Sequence, residues 1–152
     1  MMATFAQTTS YDYSPCYSDV YVYGTVIACE NVSAVEVLAA FHRNQNNTNI
    51  YGLQMSDMRD DMTDDIMNEI LAASSSVKML SLLNIPKLTR IPEAVRQLPD
   101  VEWLILMGFD EMKSLARGSV AFSDQIPFLI GIYFNAKLEV IEPGAFQGIN
   151  YY

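Results

Sequence analysis

Three apolar residues at offsets 0, 3 and 5 recur four times along the chain: Ile50-x-x-Leu53-x-Met55, Val77-x-x-Leu80-x-Leu82, Val101-x-x-Leu104-x-Leu106 and Leu129-x-x-Ile132-x-Phe134. Their starts lie 27, 24 and 28 residues apart, the period of an array of short strand-and-return units. Positions 3 and 5 of an extended segment point to the same face. One such strand cannot bury that face alone. Stacking successive units pairs the strands in parallel and closes a continuous core. The spacing therefore predicts an α/β solenoid of about four repeats over residues 50–152, with a short parallel sheet on its concave face.

Apolar anchors follow each strand: Met58 and Met62, Leu88 and Ile91, Met112 and Leu115, Leu138 and Ile141. The first return reads as a helix. Thr63 is its cap, Asp64 and Asp65 sit where the helix dipole favours anions, and Ile66, Ile70 and Leu71 form the buried stripe. The second return, between Pro92 and Pro99, is short.

Residues 16–49 follow a different pattern and read as an N-terminal hairpin-plus-helix cap over one end of the stack. VYVYGTVIAC is a hairpin turning near Tyr23-Gly24. Ser33-Ala-Val-Glu36 is a capping box that opens a helix of about ten residues, with Val37, Leu38 and Phe41 inward. Residues 1–15 are expected to form a flexible tail. At the other end, Glu142-Pro143-Gly144-Ala145-Phe146 leads toward a further strand. The expectation is a longer array cut short at the C-terminus, or an open end covered by another chain.

Cys16 and Cys29 stand thirteen residues apart across the hairpin. Two cysteines with no nearby histidine make a poor zinc site. Buried thiols and a hairpin-closing disulfide both fit; the disulfide is the preferred reading. Asn31-Val-Ser33 and Asn46-Asn47-Thr48 are glycosylation acceptors compatible with secretion. No eighteen-residue apolar run predicts a membrane span. A net charge of −9, with no Lys/Arg cluster, argues against nucleic acid and anionic lipid.

The catalytic inventory is thin. His42 is the only imidazole, and beside Arg43 it suits the C-terminal end of the cap helix. No phosphate-binding loop, nucleophile elbow or zinc-binding helix motif occurs. The acidic run Asp57, Asp60, Asp61, Asp64, Asp65 and Glu69 lacks the spacing and central glycine of an EF-hand and reads as a solvated edge. No metal, cofactor or catalytic residue is expected.

The segments LSLLNIPKLTRIPEAVRQLPDVEWLIL and LEVIEPGAFQG resemble extracellular leucine-rich-repeat proteins, a likeness covering about residues 50–149. PCYSDVYVYGTVIACENVSAVEVLAAFH is similar to the cysteine-bearing N-terminal region of arthropod members, including proteins resembling the non-catalytic subunit of oplophorus-luciferin 2-monooxygenase. The resemblance implies a curved leucine-rich-repeat solenoid, a secreted location, and a binding or stabilising role as an accessory subunit.

Residues alternating with the anchors then form outward columns: Gly52, Met79, Trp103, Gly131; Gln54, Ser81, Ile105, Tyr133; and Ser56, Leu83, Met107, Asn135. Their centre is apolar. Met79, Leu83, Trp103, Ile105, Met107 and Tyr133 are accordingly the expected surface for a protein partner. The alternative is a structural protein that self-associates through its uncapped C-terminal repeat.

Overall fold

The computed structural model describes residues 11–47, 49–59, 62–74, 77–98, 101–118, 129–133 and 138–146, with 129–133 placed by their backbone. Six strands form one sheet in sequence order: β1 (Tyr17–Tyr21), β2 (Gly24–Glu30), β3 (Ile50–Ser56), β4 (Met79–Leu83), β5 (Trp103–Met107) and β7 (Leu129–Tyr133). Only the β1–β2 hairpin is antiparallel; β2 through β7 run parallel. Helices α1 (Ala34–Arg43), α2 (Asp64–Ala72) and α3 (Glu93–Gln97) lie between successive strands, α1 packing on α2 and α2 on α3. Two further short strands, β6 (Ser114–Leu115) and β8 (Val140–Ile141), pair in parallel on their own.

The register explains the mixed α/β architecture. Leu53 stands beside Leu80, Leu80 beside Leu104, and Met55, Leu82 and Leu106 fill the adjacent column. All six are fully buried. The helices meet this layer through Val37, Ala40 and Phe41 of α1, and through Met67, Ile70 and Leu71 of α2. A third column follows the strands: Val32, Met58, Ile85 and Phe109, all buried. Methionine is prominent here, and its unbranched chain fills irregular gaps between units of unequal length.

Both long helices start as their sequences dictate. Ser33 accepts the Glu36 amide while the Glu36 carboxylate accepts the Ser33 amide at 2.8 Å, so each orphan donor finds a partner. Thr63 caps α2 by accepting from Ile66. Salt bridges tie neighbouring units: Arg59–Glu36, Arg90–Asp64 and Lys78–Glu102.

Four features differ from the sequence reading. First, the fourth window is two residues out of register: Leu104 pairs with Ile130 and Leu106 with Ile132, not with Ile132 and Phe134. Ile130, Ile132 and Phe134 alternate as three apolar residues, so period alone fits either placement; Phe134 itself lies outside the described residues. Second, β2 belongs to the parallel series, with Ile27 beside Leu53 and Cys29 beside Met55. The segment assigned to the cap thus supplies a strand of the same pattern. Third, residues 11–15, read as tail, are held on α1. Tyr13 is 2% exposed, packs edge-on against Phe41, and its hydroxyl accepts from Asn47. Asn44 exchanges hydrogen bonds with the backbone of Asp12, and Arg43 reaches the Ser14 carbonyl. Fourth, Ile141, expected as an anchor, is exposed on β8.

Candidate functional site

One face of the sheet carries the helices and core; among the described residues no helix lies across the other. On the open face, β3, β4 and β5 place Gly52, Met79 and Trp103 in one column, Gln54, Ser81 and Ile105 in the next, and Ser56, Leu83 and Met107 in the third. The two-residue correction puts Leu129, Gly131 and Tyr133 at the ends of these columns in that order. Tyr133 therefore stands beside Met107 rather than Ile105. Gly131 takes the place beside Ile105, and Asn135 lies outside the described residues.

Of the expected surface residues, Met79, Leu83, Trp103, Ile105 and Met107 lie together on one surface, and Tyr133 is placed by backbone register alone. Trp103 is 42% and Met107 38% exposed, while Met79, Leu83 and Ile105 are half-buried beside them. Gly52 makes room for this packing: a Cβ there would come within 2.7 Å of the Met79 methyl, which lies across the glycine. Ser81 is buried in the middle column and Ser56 at the start of the third. Toward β1 the same face continues through Val26 and Ala28 to Tyr17, Asp19 and Tyr21, which the β1–β2 register sets opposite them. The sequence reading missed this extension because it treated the hairpin as a separate cap.

At the strand ends the chain turns through a repeated backbone state. Asn31, Asp57, Asn84 and Gly108 have φ of 51°, 49°, 53° and 73°. They occupy equivalent positions, two residues after Cys29, Met55, Leu82 and Leu106. Asparagine, aspartate and glycine tolerate this left-handed region best. The amides of Asn31, Asp57 and Asn84 donate to the carbonyls of Ser56, Leu83 and Met107, and the Asn84 side chain donates to Asp57 at 2.9 Å. A ladder of turns thereby fixes one rim of the open face.

Cys16 and Cys29 form a disulfide with Cα atoms 4.4 Å apart, at the base of the hairpin. Of the two acceptor asparagines, Asn31 is exposed in its left-handed turn and Asn46 is exposed after α1, while Thr48 lies outside the described residues. His42 and Arg43 are exposed in the last turn of α1. In the acidic run, Asp64 is engaged by Arg90 and Asp57 by Asn84; Asp60 and Asp61 lie outside the described residues. Among the described residues no three His, Cys, Asp or Glu side chains converge as metal ligands, and no helix is long and apolar enough to cross a membrane.

Among the described residues, the perturbed ionisations belong to hydrogen-bonded or buried groups on and beside α1, away from the open face. Hydrogen bonds from the backbone and side chain of Ser33, aided by Arg59, hold the Glu36 carboxyl below its usual range. Hydrogen bonds from Ser14, with Arg43 nearby, do the same for Asp12. Burial pushes the Tyr13 phenol up against the opposing bond from Asn47.

No protein family, curated protein or solved structure matches the chain.

Proposed function

We propose that the chain is a secreted leucine-rich-repeat module that binds a protein partner across the open, concave face of its parallel sheet, as an accessory or stabilising subunit and without catalysis of its own. The exposure of Trp103 and Met107 carries this reading. Water-facing sheet positions in a parallel array ordinarily hold polar side chains, yet here a tryptophan and a methionine stand on a floor of Met79, Leu83 and Ile105. Large aromatic and thioether side chains grouped in this way are typical interface anchors. The repeat assignment is supported by the in-order parallel strands, the buried columns and the rim of left-handed turns. Secretion is supported by the disulfide, which persists in oxidising compartments.

The test uses immobilised protein to recover binders from the extracellular fluid of the source. Trp103→Ala should weaken capture by about 2 kcal/mol, roughly 30-fold in Kd, the loss expected of a central anchor. Val35→Ala, on the exposed side of α1, should leave it unchanged. Equal binding by wild type and Trp103→Ala, with both folded, would remove the open face as the site.

A further inference from the structure

A second surface stands apart from the concave centre. Five of the ten large apolar side chains exposed among the described residues lie on one hairpin: Tyr17, Val20, Tyr21, Val22 and Tyr23, each between 56% and 98% exposed. All five residues of β1 are exposed, and β1 is an edge of the sheet. Natural edge strands are usually blunted by lysine, proline or a bulge. The segment YSDVY has neither residue, carries Asp19 as its one charge, and pairs with β2 without a register break.

The free backbone groups of this edge can be assigned. Thr25 and Asn31 donate their amides to Asn49 and Ser56, so the odd-numbered amides of β2 face β3. The amides of Val26 and Ala28 therefore face β1, where Asp19 and Tyr17 oppose them. The close Cys16–Cys29 pair, 4.4 Å between Cα atoms, fits a position without mutual hydrogen bonds, one step before Tyr17. It follows that Ser18 and Val20 turn their N–H and C=O groups outward, away from β2.

We propose that β1 is a self-association edge, through which two copies of this chain pair antiparallel about Val20 into one twelve-stranded sheet. Side-chain complementarity selects a second copy and this register. Centring the two-fold on Asp19 would set the two carboxylates directly opposite each other, a like-charge pair that costs stability. Centring it on Ser18 would bring Cys16 and the segment pinned to α1 by Asp12, Ser14 and Arg43 into the seam. Centring it on Val20 places Val20 against itself, sets Ser18 against Val22, and sets each Asp19 against Tyr21 of the partner subunit, whose hydroxyl can donate to the carboxylate. The outward groups of Ser18 and Val20 then find partners. The disulfide and buried Tyr13 hold the base of the hairpin, so little order is lost on pairing. The seam is an isologous contact that closes at two copies. It stands independently of any partner on the concave face.

Sedimentation equilibrium of the full chain over micromolar concentrations reads it directly. The expected species is a dimer of the 17.1 kDa chain. Val20→Pro removes an outward amide that β2 does not use, as edge strands allow. Val20→Lys places like charges across the two-fold. Both should weaken association at least tenfold with the circular dichroism spectrum unchanged; should Val20→Pro disturb the hairpin, Val20→Lys decides alone. Ile141→Lys, in exposed β8 at the opposite end of the chain, should leave the dimer intact. Monomeric wild type overturns the proposal, as does a dimer that survives Val20→Lys or is lost in Ile141→Lys.

Discussion

The rim of left-handed turns makes a quantitative test of how tightly successive units are stacked. Gly108 has φ of 73°, and a Cβ built on it would lie 2.1 Å from the side-chain oxygen of Asn84 and 3.2 Å from its Cα. Gly108→Ala therefore costs twice. Alanine in the left-handed region is disfavoured by about 1–2 kcal/mol. The Asn84 amide must also swing away, giving up its 2.9 Å bond to Asp57, worth about 1 kcal/mol. Together these lower stability by about 2–3 kcal/mol, a fall of about 5–10 °C in Tm for a chain of this size. In an Asn84→Gly background the obstructing side chain is gone, and the same substitution should cost only the backbone share, about 1–2 kcal/mol. The difference, about 1 kcal/mol, is the coupling between adjacent turns. Urea unfolding of the four proteins in the cycle measures it, with circular dichroism and the emission of the single tryptophan as two probes. Equal losses in both backgrounds would refute the stacking of Asn84 over Gly108.

Replacing both Cys16 and Cys29 by Ala should cost about 3 kcal/mol through the freed hairpin loop, seen as a lower urea midpoint, with reducing agent producing a comparable fall in the wild type. Ser33→Ala removes the N-cap of α1 and should cost about 1 kcal/mol at neutral pH. Because the Glu36 carboxyl is depressed in the fold, its contribution is present above the ordinary value of 4.5 and is lost as pH falls through the folded value. Glu36→Gln should therefore differ from wild type at pH 7 and converge with it in acid, as urea titrations across pH would show. Tyr13 works in the opposite direction: its raised pKa means that stability declines as pH climbs past the ordinary 10.0 toward the folded value. Tyr13→Phe should flatten that alkaline decline while costing about 1 kcal/mol at neutral pH for the lost Asn47 bond.

Local signals carried most of the fold. The Ser33–Glu36 box placed α1 because its chemistry is complete within four residues. The anchors of β3, β4 and β5 were legible because Leu53, Leu80 and Leu104 are each followed two positions on by a second apolar residue, a pattern that recurs at nearly constant spacing. The last strand was not, since Ile130, Ile132 and Phe134 satisfy two placements equally and only inter-strand hydrogen bonding chooses between them. β2 escaped as a member of the series because Thr25 and Cys29 stand beside the anchors Ile50 and Met55, where leucine would have advertised the pattern. The packing of Tyr13 depends on Asn47 and Phe41, some thirty residues away, and no short window contains it. The surface cluster around Trp103 followed from alternation alone, whereas Tyr17, Asp19 and Tyr21 joined it only through long-range register.

The paired columns advance by unequal steps: Ile27, Leu53, Leu80, Leu104 and Ile130 are separated by 26, 27, 24 and 26 residues, yet the strands stay in step. Length variation is absorbed on the return side, among helices, turns and pliable methionines. Insertions and deletions there leave the spatial grid of sheet side chains untouched, so the two sides of the molecule are free to diverge at different rates. Lengthening or shortening a return would change the outline of the molecule, and substitution on the sheet would change its surface chemistry, each with little effect on the other.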